Sequence, residues 1–203
     1  MLAMLLLHLK NMDSDGEMAT ACKLACLFML LSGTRVNSLY NMLITSMYLT
    51  EEEVTFTFPV PLKHSRPGYT VPPLVFRAFP GEPALCPVQT LNKYLAHRLW
   101  ASSDEYLFST TTEPKHRATS DTIQRWIKST MLGAGIDTGK FKPHSIRGAS
   151  TSGTKLMGIR MDTILRSANW SRETTFKRHY WREIEQVFPQ EENFGEQVLL
   201  NAL

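Results

Sequence analysis

The sequence predicts a mostly α-helical domain of the α+β class with one small antiparallel sheet. Residues 18–32, MATACKLACLFMLLS, are apolar almost all round, which is typical of a buried helix, and Gly33 follows as its end. Residues 54–63 alternate between apolar and polar side chains, which indicates a strand. Residues 121–132 carry apolar side chains at helical spacing. A chain of 203 residues can form one sizeable domain, or one and a half.

The first half of the chain adds two short helices and a return strand. Residues 1–10, MLAMLLLHLK, lack a basic leader and a cleavage site and are too short to span a bilayer. They indicate the start of a core helix or the cut edge of a longer protein. Residues 35–45 predict a second short helix. The turn at 64–68, HSRPG, precedes a return strand within 69–79, and two prolines restrict that strand to a sheet edge or an irregular path.

The second half is predicted to be helical. Pro87 begins a helix over 87–99, because proline is favoured in the first helical turn. Asp121 and Gln124 are spaced like a capping box at the start of 121–132. The other predicted helical segments are 143–158, 161–167, one that begins at Ser171 or Glu173, and 191–203.

Charge is distributed unevenly along the chain. Residues 115–182 hold 14 Lys and Arg against 4 Asp and Glu, whereas 183–203 hold 5 acids and no base. A basic block of that size favours a nucleic acid or another acidic surface as partner, although a solvated basic face is the alternative.

The three cysteines do not indicate a metal site. Cys22 and Cys26 stand four apart in the apolar helical run, and Cys86 is alone in a predicted loop. No Cys and His group has zinc spacing. Buried free thiols in a reducing compartment are expected, with no metal and no cofactor.

Four basic positions are candidates for phosphate chemistry. His144 and Arg147 lie on one helix face and could together hold two oxygens of a phosphate. Arg35 follows a buried helix and a glycine turn; the alternative is a surface arginine. Lys63 at the predicted hairpin tip could donate a proton or simply face solvent, and Arg66 competes with it in the same turn.

The segment 169–182, NWSRETTFKRHYWR, surrounds one tyrosine with cations. Tyr180 stands among Arg172, Lys177, Arg178, His179 and Arg182, with a single acid, Glu173. A phenol has a pKa of about 10 and is a poor nucleophile at pH 7 unless cations help it. The segment therefore binds a polyanion, activates the tyrosine, or does both. Trp170 is expected in the core.

The ordered set Arg35, Lys63, His144, Arg147, Trp170 and Tyr180 resembles the catalytic domain of a tyrosine recombinase, in the phage-integrase superfamily. The resemblance covers roughly residues 18–182. The phrases SGTR, LKHSRPG, DTIQRWIKSTMLGAGID, HSIRGASTS and DTILRSANWSRETTFKRHY are most similar to the DIRS-like and crypton recombinases of mobile elements. The implied fold is a helical bundle with a small antiparallel sheet or hairpin.

The resemblance implies metal-free cleavage of one DNA strand. Tyr180 would attack the scissile phosphate and form a 3′-phosphotyrosyl link. Arg35 and Arg147 would hold the non-bridging oxygens, where negative charge builds up. His144 would assist proton transfer from the tyrosine, and Lys63 would protonate the leaving 5′-oxygen.

The remaining implied roles concern packing and DNA binding. Trp170 would take the position held by His or Trp in the family, as a donor and packing group. Many members place the tyrosine nine residues later, where this chain has His179, so that Tyr180 is the tenth. Contacts to the DNA backbone are assigned to Arg66, Arg125, Lys142, Arg172, Lys177 and Arg178.

The expected organisation is a catalytic domain over 1–182 and an acidic tail or helix over 183–203. Residues 1–17 would be the remnant of a linker or of a truncated N-terminal region, and the DNA-clamping domain of the family is expected to be absent. The expected partners are double-stranded DNA and further copies of the chain in a tetramer, with no membrane and no small-molecule substrate. A nuclear location is expected.

Three functions are compatible with these sequence features. The first is an active DNA strand-exchange enzyme, and the second is a catalytically silent DNA-binding protein derived from such an element. The third is a helical interaction protein whose basic face meets an acidic partner. DNA binding that falls steeply with salt would separate the first two from the third.

Overall fold

A computed structural model describes residues 1–58, 71–98, 105–168, 170 and 173–177. The predicted class is confirmed, because the described residues form mainly helices and one small antiparallel sheet. The helices are α1 (Leu2–Asn11), α2 (Glu17–Ser32), α3 (Val36–Tyr40), α4 (Pro87–His97), α5 (Ser120–Gly133), α6 (Ser145–Leu156), α7 (Met161–Ser167) and α8 (Glu173–Phe176). The strands are β1 (Met47–Leu49), β2 (Glu53–Phe56) and β3 (Leu74–Arg77).

Helix α2 is the centre of the core, as its apolar sequence predicts. It packs against α3, α4, α5, α6 and β3. Phe28 stacks on Phe76 with ring centroids 4.0 Å apart and meets Phe56 edge-on at 5.7 Å. The helix ends at Gly33, which adopts a left-handed conformation and donates its N–H to the carbonyl of Met29. No helix among the described residues is long and apolar enough to cross a bilayer.

The sheet has the order β1-β2-β3, with antiparallel pairing throughout. Strand β2 ends at Phe56, before the predicted limit at residue 63. The return strand is confirmed as β3, which begins after both prolines and lies at an edge of the sheet that the described residues form. Strand β1 was not predicted. Residues 59–70, with the predicted turn at 64–68, lie outside the described residues.

Two helix predictions need correction. The helix over 35–45 ends at Tyr40, because Leu43 pairs with Tyr106 in a β-bridge and Ile44–Ser46 form a 3₁₀ turn. The cap of α5 is Thr119, which accepts from the N–H of Thr122 at 3.1 Å, rather than the predicted Asp121 and Gln124 pair. Those two side chains instead bond to each other at 3.3 Å inside the first turn.

The other helix predictions agree in position. Helix α1 is a core helix, in which Leu5 and Leu9 are buried. Helices α4, α6 and α7 lie within the predicted segments, although α4 ends at His97. The predicted helix over 191–203 and the acidic tail lie outside the described residues.

All three cysteines are buried and free, as predicted. Burial raises the pKa of Cys22 to about 11 and that of Cys26 to about 12. Cys86 lies in the connection before α4, as predicted, where it is the N-cap of that helix, and its Sγ accepts from the N–H of Phe79. The thiols of Cys22 and Cys26 are therefore protonated packing groups at neutral pH. The compartment of the protein stays a prediction.

Replacement of Gly33 by alanine is expected to lower the free energy of unfolding by about 1–3 kcal/mol. Gly33 has φ +60°, and a Cβ there would lie 2.8 Å from Cγ2 of Thr151. Urea denaturation measures the change. Gly81→Ala is the matched control, because no atom lies within 4 Å of its Cβ position.

A second substitution separates the steric part of this effect from the backbone part. Thr151→Ser removes Cγ2 but keeps the hydroxyl that donates to the carbonyl of Arg147 at 2.7 Å. Gly33→Ala combined with Thr151→Ser is expected to recover part of the lost stability. A Gly33→Ala chain as stable as the parent would contradict the conformation described for this turn.

Candidate active site

An open cavity of about 560 Å³ lies where α3, α5 and the start of α6 meet. Its walls carry six basic side chains, and its described lining contains no aspartate or glutamate. The neutral lining residues are small, apolar or amide-bearing. The basic ones are Arg35, Arg125, Lys128, Lys142, His144 and Arg147. A cavity with this lining attracts anions. Its volume can hold a phosphate group together with part of the molecule that carries the phosphate.

Arg147 is the buried cation of the cavity. It lies in the first turn of α6 between two buried neighbours, Ile146 and Gly148, and is only 2% exposed. Its Nη2 donates to the carbonyl of Ala168 at 2.8 Å, and its Cζ lies 4.4 Å from the ring centroid of Trp170. A carbonyl and an aromatic face therefore hold the guanidinium in one orientation.

Trp170 is buried beneath Arg147, as predicted for a core tryptophan. It packs with Ile164, Ala168 and Phe176, and its ring centroid lies 5.3 Å from that of Phe176. Its backbone N–H donates to the carbonyl of Leu165 at 2.8 Å, which fixes the chain after α7. The ring therefore contacts the arginine of the cavity from the protein side. The predicted role as a donor to phosphate stays a prediction.

Arg35 lines the same cavity from the start of α3. It is the extended residue before α3, and its carbonyl accepts from the N–H of Ser38 at 2.9 Å. The preceding turn is fixed by Gly33 and by the N–H of Thr34, which donates to Oγ of Ser32 at 3.2 Å. The arginine is half-buried rather than a freely exposed surface residue.

His144 stands at the entrance of the same cavity. It immediately precedes α6, and its carbonyl accepts from the N–H of Arg147 at 3.2 Å. The imidazole is exposed, whereas the Arg147 side chain is buried. The histidine is therefore accessible to a solvent-borne phosphate, while the arginine forms the cavity floor.

Further cations line the cavity on its solvent side. Arg125 and Lys142 were predicted as DNA contacts, and both are exposed lining residues. Nζ of Lys142 donates to the carbonyl of Thr138 at 3.2 Å. Lys128 was not predicted as a site residue. It lies one turn after Gln124 on α5, so that the two residues share a helix face, and both line the cavity.

The structure does not bring every predicted residue to the cavity. Lys177 is exposed and forms an ion pair with Glu173 at 2.9 Å, and it is not among the lining residues. Five other predicted site residues lie outside the described residues, so their placement stays a prediction. They are Lys63, Arg66, Arg172, Arg178 and Tyr180.

The cavity can bind an anion and stabilise charge that develops on it. Fixed cations around a phosphate are worth most when they need no rearrangement, which is the situation of Arg147. His144 adds an imidazole, a side chain that commonly serves in proton transfer. The part of the chain that the structure describes contains no group of three or more His, Cys, Asp or Glu side chains that could hold a metal.

Comparison with known proteins agrees with this geometry. The sequence profile of the phage integrase family matches residues 5–186 of this chain. A XerH site-specific recombinase, solved in a post-cleavage complex with palindromic difH substrate, superposes with a TM-score of 0.66 and 13% identity. That match covers 92% of this chain and 50% of the XerH chain. No curated protein sequence matches the chain.

Two further solved structures have the same fold. XerA recombinase gives a TM-score of 0.62 at 19% identity, over 93% of this chain and 62% of its own. A lambda integrase dimer bound to a COC′ core site gives 0.55 at 15% identity, over 88% and 57%. The chain thus spans about half to three fifths of the length of these proteins. It belongs to the phage integrase family and has the fold of the tyrosine recombinase catalytic domain.

Proposed function

We propose that this chain cleaves and rejoins DNA strands as a site-specific recombinase, through a 3′-phosphotyrosyl intermediate. The observation that carries the proposal is the cavity in which Arg35 meets His144 and Arg147, which follow it by more than a hundred residues in the sequence. Membership of the phage integrase family supports it.

Each described residue has a task in this reaction. Arg147 and Arg35 hold the two non-bridging oxygens of the scissile phosphate. His144 at the entrance assists the movement of the nucleophile's proton. Arg125, Lys128 and Lys142 hold adjoining backbone phosphates, which positions the DNA but conveys little sequence information.

Two residues outside the described part complete the reaction. The sequence assigns the nucleophile to Tyr180, whose oxygen bonds to phosphorus as the 5′-oxygen leaves. It assigns the proton donor for that leaving oxygen to Lys63. Rejoining reverses both steps, since the phosphotyrosyl bond conserves the energy of the cleaved bond.

The biological setting is also a proposal. The phrases SGTR, LKHSRPG and HSIRGASTS support a recombinase of the DIRS-like or crypton groups of mobile elements. Such a protein would act in the nucleus, on double-stranded DNA, as a tetramer. The lambda integrase tetramer bound to a Holliday junction, with a TM-score of 0.55, supports that assembly.

Relaxation of a supercoiled plasmid tests the proposal without a known target site. The purified chain is incubated with plasmid at low salt in EDTA, and detergent is added to trap protein bound covalently to DNA. We expect relaxed topoisomers and a trapped adduct. Arg77→Gln is the control for a lost positive charge, because the Arg77 side chain is 86% exposed and is not among the residues that line the cavity.

Two other results would change the proposal. Salt-sensitive DNA binding without relaxation or adduct would favour the silent DNA-binding protein, which uses the same cavity. If the chain shows no salt-sensitive DNA binding, both the recombinase and the silent DNA-binding protein are excluded. The helical interaction protein is then the function that remains.

A further inference from the structure

Arg117, which lies outside the cavity lining, occupies an aromatic sandwich. Its Cζ lies 3.4 Å from the ring centroid of Tyr40 and 3.3 Å from that of Tyr106. The two rings are nearly parallel, at 17°, with centroids 6.5 Å apart. The planar guanidinium therefore fills the space between them, with favourable cation–π contact on both faces.

The same guanidinium bonds to the end of α3. Its Nη2 donates to the carbonyl of Tyr40 at 2.7 Å and to Oδ1 of Asn41 at 3.2 Å. Tyr40 is the last residue of α3, so its carbonyl is one of those that no later helical N–H satisfies. Arg117 supplies a charged donor at this point, where a positive group is favoured.

A hydrogen-bonded path leads from Arg117 to the cavity. Nδ2 of Asn41 donates to the carbonyl of Asn37 at 2.7 Å and approaches its Oδ1 at 3.4 Å. Asn37 lines the cavity, and Arg35 is the residue before α3. Since α3 has five residues and is about 7 Å long, restraint of its last residue also limits movement of Arg35.

Tyr106, the second ring of the sandwich, belongs to the segment 105–118 that leads into α5. The N–H of Leu107 donates to the carbonyl of Met42 at 2.9 Å, and Ser109 pairs with Arg117 in a β-bridge. The chain then enters α5 within three residues of Arg117. Helix α5 packs against α3 and supplies Arg125 and Lys128 to the cavity lining.

We propose that Arg117 is a positioning residue that sets α3, and with it Arg35, at a fixed distance from the α5 wall of the cavity. It does not touch the phosphate. This inference rests on the proposed function, because it assigns Arg35 to phosphate binding. It predicts that loss of Arg117 weakens DNA binding through Arg35 and not through the loss of one charge.

A double-mutant cycle distinguishes these two effects. Dissociation constants for a fluorescent DNA duplex are measured by anisotropy at fixed low salt, with Arg117→Gln in the parent and in Arg35→Ala. We expect about fivefold weaker binding in the parent background and less than twofold in the Arg35→Ala background. Equal losses in both backgrounds would overturn the proposal, since they would show that Arg117 acts independently of Arg35.

Arg117→Lys tests whether charge alone is enough. Lysine keeps the positive charge but has neither the flat guanidinium nor the fork that reaches two oxygens. We expect it to lose affinity as Arg117→Gln does, whereas full rescue would indicate an electrostatic role and overturn the proposal. Arg77→Gln is the charge-matched control, and its affinity is expected to stay within twofold of the parent.

Hydrogen exchange of the α3 amides gives a readout that needs no DNA. We expect Arg117→Gln to raise exchange at residues 39–42 at least tenfold, with unchanged exchange in the centre of α2. Unchanged α3 exchange would overturn the proposal even if DNA binding fell. If Arg117→Gln does not fold, Tyr106→Leu removes one face of the sandwich and takes its place in both measurements.

The two measurements separate failure of this inference from failure of the proposed function. If Arg35→Ala binds DNA as the parent does, the phosphate role of Arg35 is wrong. Exchange of the α3 amides then still decides whether Arg117 restrains that helix. If Arg35→Ala weakens binding and the cycle is additive, the proposed function stands and the positioning role fails.

Discussion

Tyr180→Phe is expected to abolish both plasmid relaxation and the detergent-trapped adduct. Phenylalanine differs from tyrosine by one oxygen, and that oxygen is the atom proposed to bond to phosphorus. The remaining cations can hold the phosphate but cannot cleave it by this route. We expect the rate of adduct formation to fall at least 10⁴-fold, to below detection, while the affinity for DNA changes by less than about threefold.

His179→Ala tests whether the assignment of the nucleophile to Tyr180, one residue later than in many family members, is correct. If Tyr180 is the nucleophile, His179→Ala still forms the adduct, slowed by the loss of one nearby base or cation. Mass spectrometry of the adduct after nuclease digestion would place the nucleotide on a particular residue. A nucleotide on any residue other than Tyr180, or relaxation that survives in Tyr180→Phe, would contradict the assignment.

Elements whose signal is local were predictable from the sequence. The all-round apolar character of 18–32 predicted α2, and Gly33 marked its end, because both depend on near neighbours in sequence. Strand β1 has three residues, which is too few for an alternating pattern to stand out. The end of α3 depends on a β-bridge between Leu43 and Tyr106, and no local pattern contains that contact.

The same distinction applies to the site. Arg35, His144 and Arg147 were proposed from the motifs in which they stand, and they line one cavity. Arg117 was not proposed, because its role depends on Tyr40, from which it is separated by 77 positions. Its rings and carbonyl become neighbours only after α3 and the 105–118 segment have packed together.

The support of Arg147 was also hidden from the sequence. Trp170 was expected in the core, but its contact with the guanidinium could not be derived from a spacing of 23 residues. The turn from α7 that brings Ala168 and Trp170 under α6 is a tertiary feature. Sequence patterns therefore identified which side chains could bind phosphate, while packing decides which of them are held rigidly.

Arg147→Lys is expected to slow adduct formation by about 10²–10³-fold, which corresponds to about 2.7–4 kcal/mol of lost transition-state stabilisation. The substitution keeps a positive charge on α6. It loses the planar fork that can hold a phosphate oxygen while Nη2 donates to Ala168 at 2.8 Å. Single-turnover cleavage of a nicked duplex at saturating protein measures this step apart from binding.

Arg125→Gln provides the comparison within the same cavity. Arg125 is exposed on α5, and its Nη2 donates to Oγ1 of Thr122 at 3.2 Å. Its loss should weaken DNA binding more than it slows the chemical step, because it is assigned to a backbone phosphate. Arg147→Lys should show the reverse, with a large loss of rate and a small loss of affinity, since a rigid cation acts most strongly on the charge of the transition state. Equal effects of the two substitutions on rate would mean that burial against Trp170 gives Arg147 no special part in the chemistry.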